Sequence, residues 1–337
     1  MKTIVHTCSS VLVRPNGIVR YINAVMDLQR SLGHKTIFVT DAKPTQSINA
    51  DQVYYVHESS EYVPNMRDGH VWLQVEEKLI HDMDKLYTQH KINADLVVAH
   101  DLHSYYAAVA NYKDGIFVQH ESDVLNPGTR YSFLDDDYLS LQKLVVANTD
   151  WRVGMVMRDP DIECKRPIYT PPPFDIVNQT ISKKSRGLLY IGDSTERKGA
   201  REFMNMARKL GVKPTVITHE PDAELFAGAD VYTFGLAQRD EMFALMRRHR
   251  VAYIPSKNEC LSLAVLECLQ FMPVVVDKQY AWTKHSEELG IIRLRGKKIE
   301  DELKSILSVN NEGSAYNRKL LEVYAMNTKQ YWKNLTA

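Results

Sequence analysis

Val251-Ala252-Tyr253-Ile254, then Pro255-Ser256-Lys257-Asn258-Glu259-Cys260, then Leu261-Ser262-Leu263-Ala264-Val265-Leu266-Glu267, and finally Pro273-Val274-Val275-Val276 is the stretch of the 337-residue chain from which the fold is read. A short apolar run, a polar turn, a mostly apolar helical segment and a second apolar run describe a buried strand, a loop, a helix and another buried strand. Pro273 closes the helix-to-strand connection, because it cannot continue a helix. Two carboxylates interrupt the pattern. Glu259 falls in the turn before the helix, and Glu267 sits inside it among Leu261, Leu263, Val265, Leu266 and Leu269. An acid on so apolar a helix is costly unless it meets a partner or a ligand's hydroxyls, and the loop after a strand is where open α/β sheets take ligands. The plainer alternative puts Glu267 on the one wet face and leaves Glu259 an ordinary loop acid.

Outward from this stretch, strands and helices alternate. Residues 3–7 read as a strand, and the helix opening at Gly17 carries Ile18, Ile22, Val25, Leu28 and Leu32 on a 3.6-residue stripe. A glycine ahead of such a helix suits an anion, since unpaired backbone N–H groups point there; Pro15-Asn16-Gly17 is equally a plain turn. Residues 35–40 and 51–56 read as strands, 70–90 as an amphipathic helix, and 95–100 as a strand followed by His100, Asp101 and His103. No recurring ligand pattern supports a metal there, so a polar loop is the reading taken. Strand 116–119 exits into His120-Glu121, 144–148 is the last strand of the first half, and the proline-rich 169–174 is a stiff linker.

The second half opens with strand 187–192, the loop Ser194-Thr195-Glu196-Arg197-Lys198-Gly199 and a helix bearing Phe203, Met206, Ala207 and Leu210. Arg197 and Lys198 oppose the dipole at that helix N-terminus, which makes sense if they face a diphosphate. Alternatively they form a solvated cluster neutralised by Glu196 and Glu202. Strands 214–218 and 231–235, a helix at 240–249, and helices at 299–308 and 317–335 complete the chain. The alternation predicts two parallel-sheet α/β domains.

Composition is that of a globular protein, 44% hydrophobic and 25% charged, which excludes a disordered or fibrous chain. The 42 basic and 42 acidic residues balance, with 17 against 22 in residues 1–170 and 25 against 20 in the rest. That asymmetry is milder than the basic surface a nucleic-acid binder usually shows. Cys8, Cys164, Cys260 and Cys268 lack metal-type spacing and read as reduced thiols. Neither a signal peptide nor a run of membrane-span length is present, so a cytoplasmic protein is expected.

Ser256-Lys257-Asn258-Glu259, seven residues, Glu267 and then Pro273-Val274-Val275 resembles the signature of the family 4 retaining glycosyltransferases. Gly17-Ile18-Val19-Arg20-Tyr21 followed by Gly33-His34, His120 with an acid after it, and Lys198-Gly199 resemble further motifs of that family, so the similarity spans nearly the whole chain. It implies GT-B architecture: two Rossmann-like domains facing across a cleft, with residues 1–170 taking the acceptor, 171–316 taking a nucleotide-sugar donor, and a C-terminal helix, 317–337, packing back on the first domain. The donor, expected to be a UDP-sugar and to need no metal, would be held by Gly17, Arg197, Lys198, Phe234, Gly235, Cys260, Leu261, Ser262 and Glu267. Glu267 would hold ribose hydroxyls. Glu259 and His120 would orient the sugar, and Glu121 or Asp101 is the candidate base. Where the family carries Gly-Arg, this chain has Gly192-Asp193, so one phosphate-binding cation is missing.

Residues 118–125 and 172–176 are also similar to segments of the phage α-glucosyltransferases that modify hydroxymethylcytosine in DNA. That similarity implies double-stranded DNA carrying 5-hydroxymethylcytosine as acceptor, with the base flipped out and Arg130, Arg152 and Arg158 along the backbone. Two alternatives are a bacterial-type transferase acting on a lipid-linked or surface polysaccharide, and an inactive nucleotide-sugar-binding protein.

Overall fold

A computed structural model describes residues 1–10, 17–59, 65–67, 70–72, 74–120, 136–156, 163–177, 186–219, 221–234, 238–259, 262–280, 289–308 and 314–336. The chain divides into two compact units, Met1–Phe174 with Met326–Ala337, and Asp175–Ala325.

The first unit contains β1 (Thr3–Thr7), α1 (Gly17–Ser31), β2 (Lys35–Val39), β3 (Gln52–Tyr54), β4 (Asn65–Arg67), β5 (His70–Trp72), α2 (Glu77–Gln89), β6 (Leu96–Ala99), α3 (Leu102–Val109), β7 (Ile116–Gln119), α4 (Asp136–Asn148), β8 (Arg152–Met155) and β9 (Pro167–Tyr169). Seven of these strands form one sheet in the order β3-β2-β1-β6-β7-β8-β9, every neighbouring pair parallel. Chain order reverses between β1 and β6, and a sheet of this kind opens a crevice there, beyond its C-terminal edge. The near-continuous apolar strands, Ile4-Val5, Leu96-Val97-Val98-Ala99 and Ile116-Phe117-Val118, are buried, as a sheet covered on both faces requires.

The second unit contains β10 (Arg186–Ile191), α5 (Ala200–Leu210), β11 (Thr215–Ile217), β12 (Asp230–Tyr232), α6 (Arg239–Met246), β13 (His249–Tyr253), α7 (Leu263–Leu269), β14 (Val274–Asp277), β15 (Ile292–Leu294), α8 (Lys297–Ser308) and the first half of α9 (Ser314–Thr336). Its six-stranded parallel sheet runs β12-β11-β10-β13-β14-β15, and its reversal lies between β10 and β13. Leu188, Tyr190, Phe203, Val216, Phe226, Val251 and Leu303 pack as its core. From Met326 onward α9 belongs to the first unit, where Trp332 is wholly buried and donates its indole N–H to the carbonyl of Pro171 at 2.9 Å. The two α/β sheets and the returning helix expected from the sequence are present.

Three local expectations are corrected. Residues 70–72 are not helical but pair antiparallel with 65–67, and α2 starts only at Glu77; the sequence Asp-Gly at 68–69 is a signal that favours a hairpin over a helix. Residues 144–148 close helix α4 rather than forming a strand. Its buried side chains Tyr138, Gln142, Val145 and Val146 follow helical spacing, while Leu144 is 59% exposed. An apolar run of four is ambiguous between the two states until the longer window is read. The last strands of the first sheet are instead β8 and β9, and Tyr169, expected in the linker, ends β9.

Candidate functional site

In the second unit the chemistry gathers at the reversal point. The loop after β10 carries Arg197 and Lys198, and the loop after β13 carries Lys257, Asn258 and Glu259. Backbone and side chains tie these loops together. Lys257 N–H donates to the Arg197 carbonyl at 2.8 Å, and the Arg197 guanidinium donates to the Asn258 carbonyl at 3.1 Å. Gly199 has φ +72°, and a Cβ there would lie 2.4 Å from the carbonyl oxygen of Pro255, so only glycine permits the approach.

The consequence is an ion pair between Lys198 Nζ and Glu259 Oε1. Burial opposes ionisation of Glu259, but Lys198 and Arg197, with hydrogen bonds from Lys198 and Ser256, outweigh it and hold the carboxyl below its ordinary range. Glu196 and Glu202, the acids that could have neutralised Arg197 and Lys198, both pair with the buried Lys257 instead, at 3.1 and 2.8 Å. Arg197 and Lys198 thus stay turned to Asn258 and Glu259.

Glu267, 2% exposed on α7, lies 3.7 Å from the guanidinium of Arg239. Arg239 opens α6, is half exposed, and stacks 4.9 Å over Phe243. The spacing of the two acids marked both as unusual, yet nothing in the sequence marked Arg239 as the partner of one. Phe234 follows β12, its ring parallel to Tyr232 at 6.1 Å. Ser262 is the N-cap residue of α7. Gly235, Cys260 and Leu261 lie outside the described residues, as do Glu121, Arg130 and Arg158.

In the first unit, His6 on β1, His100 after β6 and His120 after β7 come from three adjacent strands at one end of the sheet. They are hydrogen-bonded in series: His6 Nδ1 to His100 Nε2, and His100 Nδ1 to His120 Nε2, both at 2.9 Å. Burial lowers the pKa of His6 to about 4 and that of His120 to about 3, and lowers that of His100 as well. In the sequence His120 stands out at the exit of a strand, whereas His100 falls in a polar run and His6 inside a strand, with no local signal that joins the three.

Asp101 is fully buried and caps α3, accepting from Ser104 N–H at 2.8 Å and from Ser9 N–H at 2.7 Å. Asp41 holds the next residue, accepting from Ser10 N–H at 2.6 Å and Ser10 Oγ at 2.5 Å. Two carboxylates thereby fix the turn leaving β1. Gly17 is the first residue of α1 and is exposed, and a Cβ there would meet nothing within 4 Å among the described residues. Arg152 does not join this group. It starts β8, the opposite end of the strand from the sheet edge where His120 lies, and it faces Asp114 at 3.8 Å. Among the described residues no group of three or more His, Cys, Asp or Glu side chains is arranged to hold a metal ion. No helix among them is long and apolar enough to cross a membrane.

No family model matches the sequence, and no curated protein does. Solved structures do match along its whole length. Sucrose-phosphate synthase from Thermosynechococcus elongatus is 13% identical, with 99% of this chain and 95% of that one covered and a TM-score of 0.68. TarM of S. aureus, in a complex containing UDP and alpha-GlcNAc-glycerol, is 10% identical, with 99% of each chain covered and a TM-score of 0.71. The pneumococcal O-GlcNAc transferase GtfA, in complex with UDP and GlcNAc, is 11% identical, with 99% and 98% covered and a TM-score of 0.66. At these identities the likeness establishes the fold, the GT-B architecture of glycosyltransferases.

Proposed function

We propose that the chain is a retaining glycosyltransferase that moves a sugar from a nucleotide-sugar to an acceptor hydroxyl. The observation that carries this reading is the Lys198–Glu259 pair, with Arg197 beside it, at the reversal point of the second sheet. Departure of a nucleoside diphosphate builds negative charge on phosphate oxygens, and cations already fixed in place stabilise it without reorganising. Lys198 and Arg197 take that role, with backbone amides at Gly17 and around residues 260–262. Glu267 holds ribose hydroxyls, displacing Arg239, and Phe234 and Gly235 border the base. Glu259 and His120 orient the sugar, and Glu121 is the base toward the acceptor. Asp101, with its oxygens taken by Ser9 and Ser104, serves by fixing the turn that leaves β1. In this reading residues 171–316 take the donor and residues 1–170 with the terminal helix take the acceptor. UDP is the nucleotide favoured, since the similar structures of TarM and GtfA hold it. The protein works in the cytoplasm.

For the acceptor we infer 5-hydroxymethylcytosine in phage DNA, on the similarity of residues 118–125 and 172–176. A lipid-linked or surface polysaccharide is the second reading, favoured by the description of one structural neighbour as a lipopolysaccharide outer core galactosyltransferase, 11% identical at a TM-score of 0.66. The test offers UDP-glucose, UDP-galactose and UDP-GlcNAc to the full chain with hydroxymethylated duplex DNA or with lipid-linked oligosaccharide, and follows mass gain of each acceptor. Sugar on the DNA supports the first acceptor, and sugar on the oligosaccharide replaces it with the second. Absence of both transfer and donor hydrolysis contradicts an active transferase.

A further inference from the structure

We propose that Gln29, His6 and His100 form a buried positioning relay that holds His120 as one neutral tautomer, its proton on Nε2 and its Nδ1 lone pair left for a donor outside the relay. A neutral imidazole has one N–H and one lone pair. Rings bonded Nδ1 to Nε2 in series must therefore all point the same way, and the group at the closed end decides which way. That group is the Gln29 side chain of α1, whose carbonyl Oε1 lies 2.9 Å from His6 Nε2. A carbonyl only accepts, so His6 carries its proton on Nε2 and offers Nδ1 to the Nε2–H of His100. His100 Nδ1 in turn accepts from the Nε2–H of His120.

Two features keep the series in this state. Gln29, His6 and His100 are 0% exposed, and loss of solvent disfavours a charged ring in the series. The rings are also held in place: His6 and His100 stack at 5.2 Å and 14°, and Tyr21 meets His120 edge-on at 4.8 Å. Tyr21 is itself fixed by donating to the Thr170 carbonyl at 2.9 Å. The nearby carboxylate of Asp101 favours a charged His120, but its oxygens accept from the Ser9 and Ser104 amides. The amide of Gln29 is the polarity element. Its Nε2 has no hydrogen-bond partner among the described residues, and presenting that NH₂ to His6 reverses all three rings, leaving His120 with an outward N–H. One buried amide therefore sets whether His120 offers a lone pair or a proton. For catalysis the inference rests on the reading that His120 faces the transferred sugar, where an outward lone pair accepts a sugar hydroxyl.

The test labels the full chain with 15N-histidine and records long-range 1H–15N spectra between about pH 6 and 8, where an unperturbed histidine titrates. The His120 signals are assigned by their loss in His120→Asn. The unaltered chain is expected to show three neutral rings protonated on Nε2. Gln29→Met, which removes the acceptor at similar volume, is expected to turn His120 into a tautomer mixture. Its kcat for sugar transfer is expected to fall on the order of tenfold, with KM for the nucleotide-sugar little changed. A His120 that is charged or protonated on Nδ1 in the unaltered chain overturns the relay, as does an unchanged His120 tautomer in folded Gln29→Met. Should that variant not fold, the spectrum of the unaltered chain decides. The spectrum needs no substrate, so the relay is judged separately from the transferase reading, which falls only on absence of transfer and hydrolysis by the unaltered chain.

Discussion

At Glu259 two effects oppose each other: loss of solvent favours the neutral acid, while the Lys198 ammonium and the Arg197 guanidinium favour the carboxylate and win. Replacing Lys198 by Met leaves a largely buried carboxylate with a single cation nearby, a loss of about 1–3 kcal/mol in stability, to be read from urea denaturation. Because the folded-state pKa of Glu259 lies below its unfolded value, the pair's contribution is complete above the ordinary carboxylate range and disappears as pH falls through the lower folded value. In Lys198→Met that acid dependence shrinks. Gly199→Ala tests the loop that positions the lysine. Its Cβ cannot coexist with the Pro255 carbonyl at 2.4 Å, and φ is +72°, so a cost of roughly 1–3 kcal/mol is expected on denaturation. Much of this was legible in the sequence, since two acids beside apolar positions and a Lys-Gly after a strand are local patterns. The partners were not. Lys257 takes Glu196 and Glu202, and Arg239 meets Glu267, only because the fold brings loops and helices that are far apart in sequence together.

On the scale of secondary-structure elements, three adjacent strands each deliver one histidine to the edge of the first sheet, and burial makes them a source of pH dependence. His6 and His100 have folded pKa values below the ordinary histidine value, so below about pH 6.5 the unfolded chain binds protons that the folded chain does not. Stability is therefore complete above that pH. As pH falls it is lost, at about 1.4 kcal/mol per pH unit for each histidine, until the folded value is passed, which for His6 is about 4. Urea midpoints between pH 7.5 and 5 check this, and His6→Gln should flatten the decline. Long strands and amphipathic helices were readable from their periodicity. The short elements misled: residues 144–148 are apolar enough for a strand, and only the spacing of Tyr138, Gln142 and Val145 shows a helix face. The end of α9 is anchored by Trp332, fully buried and bonded to the Pro171 carbonyl. Trp332→Ala is expected to cost roughly 3–5 kcal/mol, measured by thermal or urea unfolding.

For the whole molecule, the two parallel sheets, each with its own reversal point and its own set of charged side chains, make the nucleotide-sugar reading a statement chiefly about the second unit. Lys198, Glu259 and Glu267 all belong to Asp175–Ala325, and none of them needs the acceptor to bind a nucleotide. Titrating the full chain with UDP by calorimetry, alongside Lys198→Met, tests this most directly. A nucleotide-sugar enzyme is expected to bind UDP, with affinity about tenfold weaker or worse in the variant, a loss of at least about 1.4 kcal/mol. Failure of UDP, GDP and ADP alike to bind the unaltered chain, or UDP affinity unmoved by Lys198→Met, would contradict it.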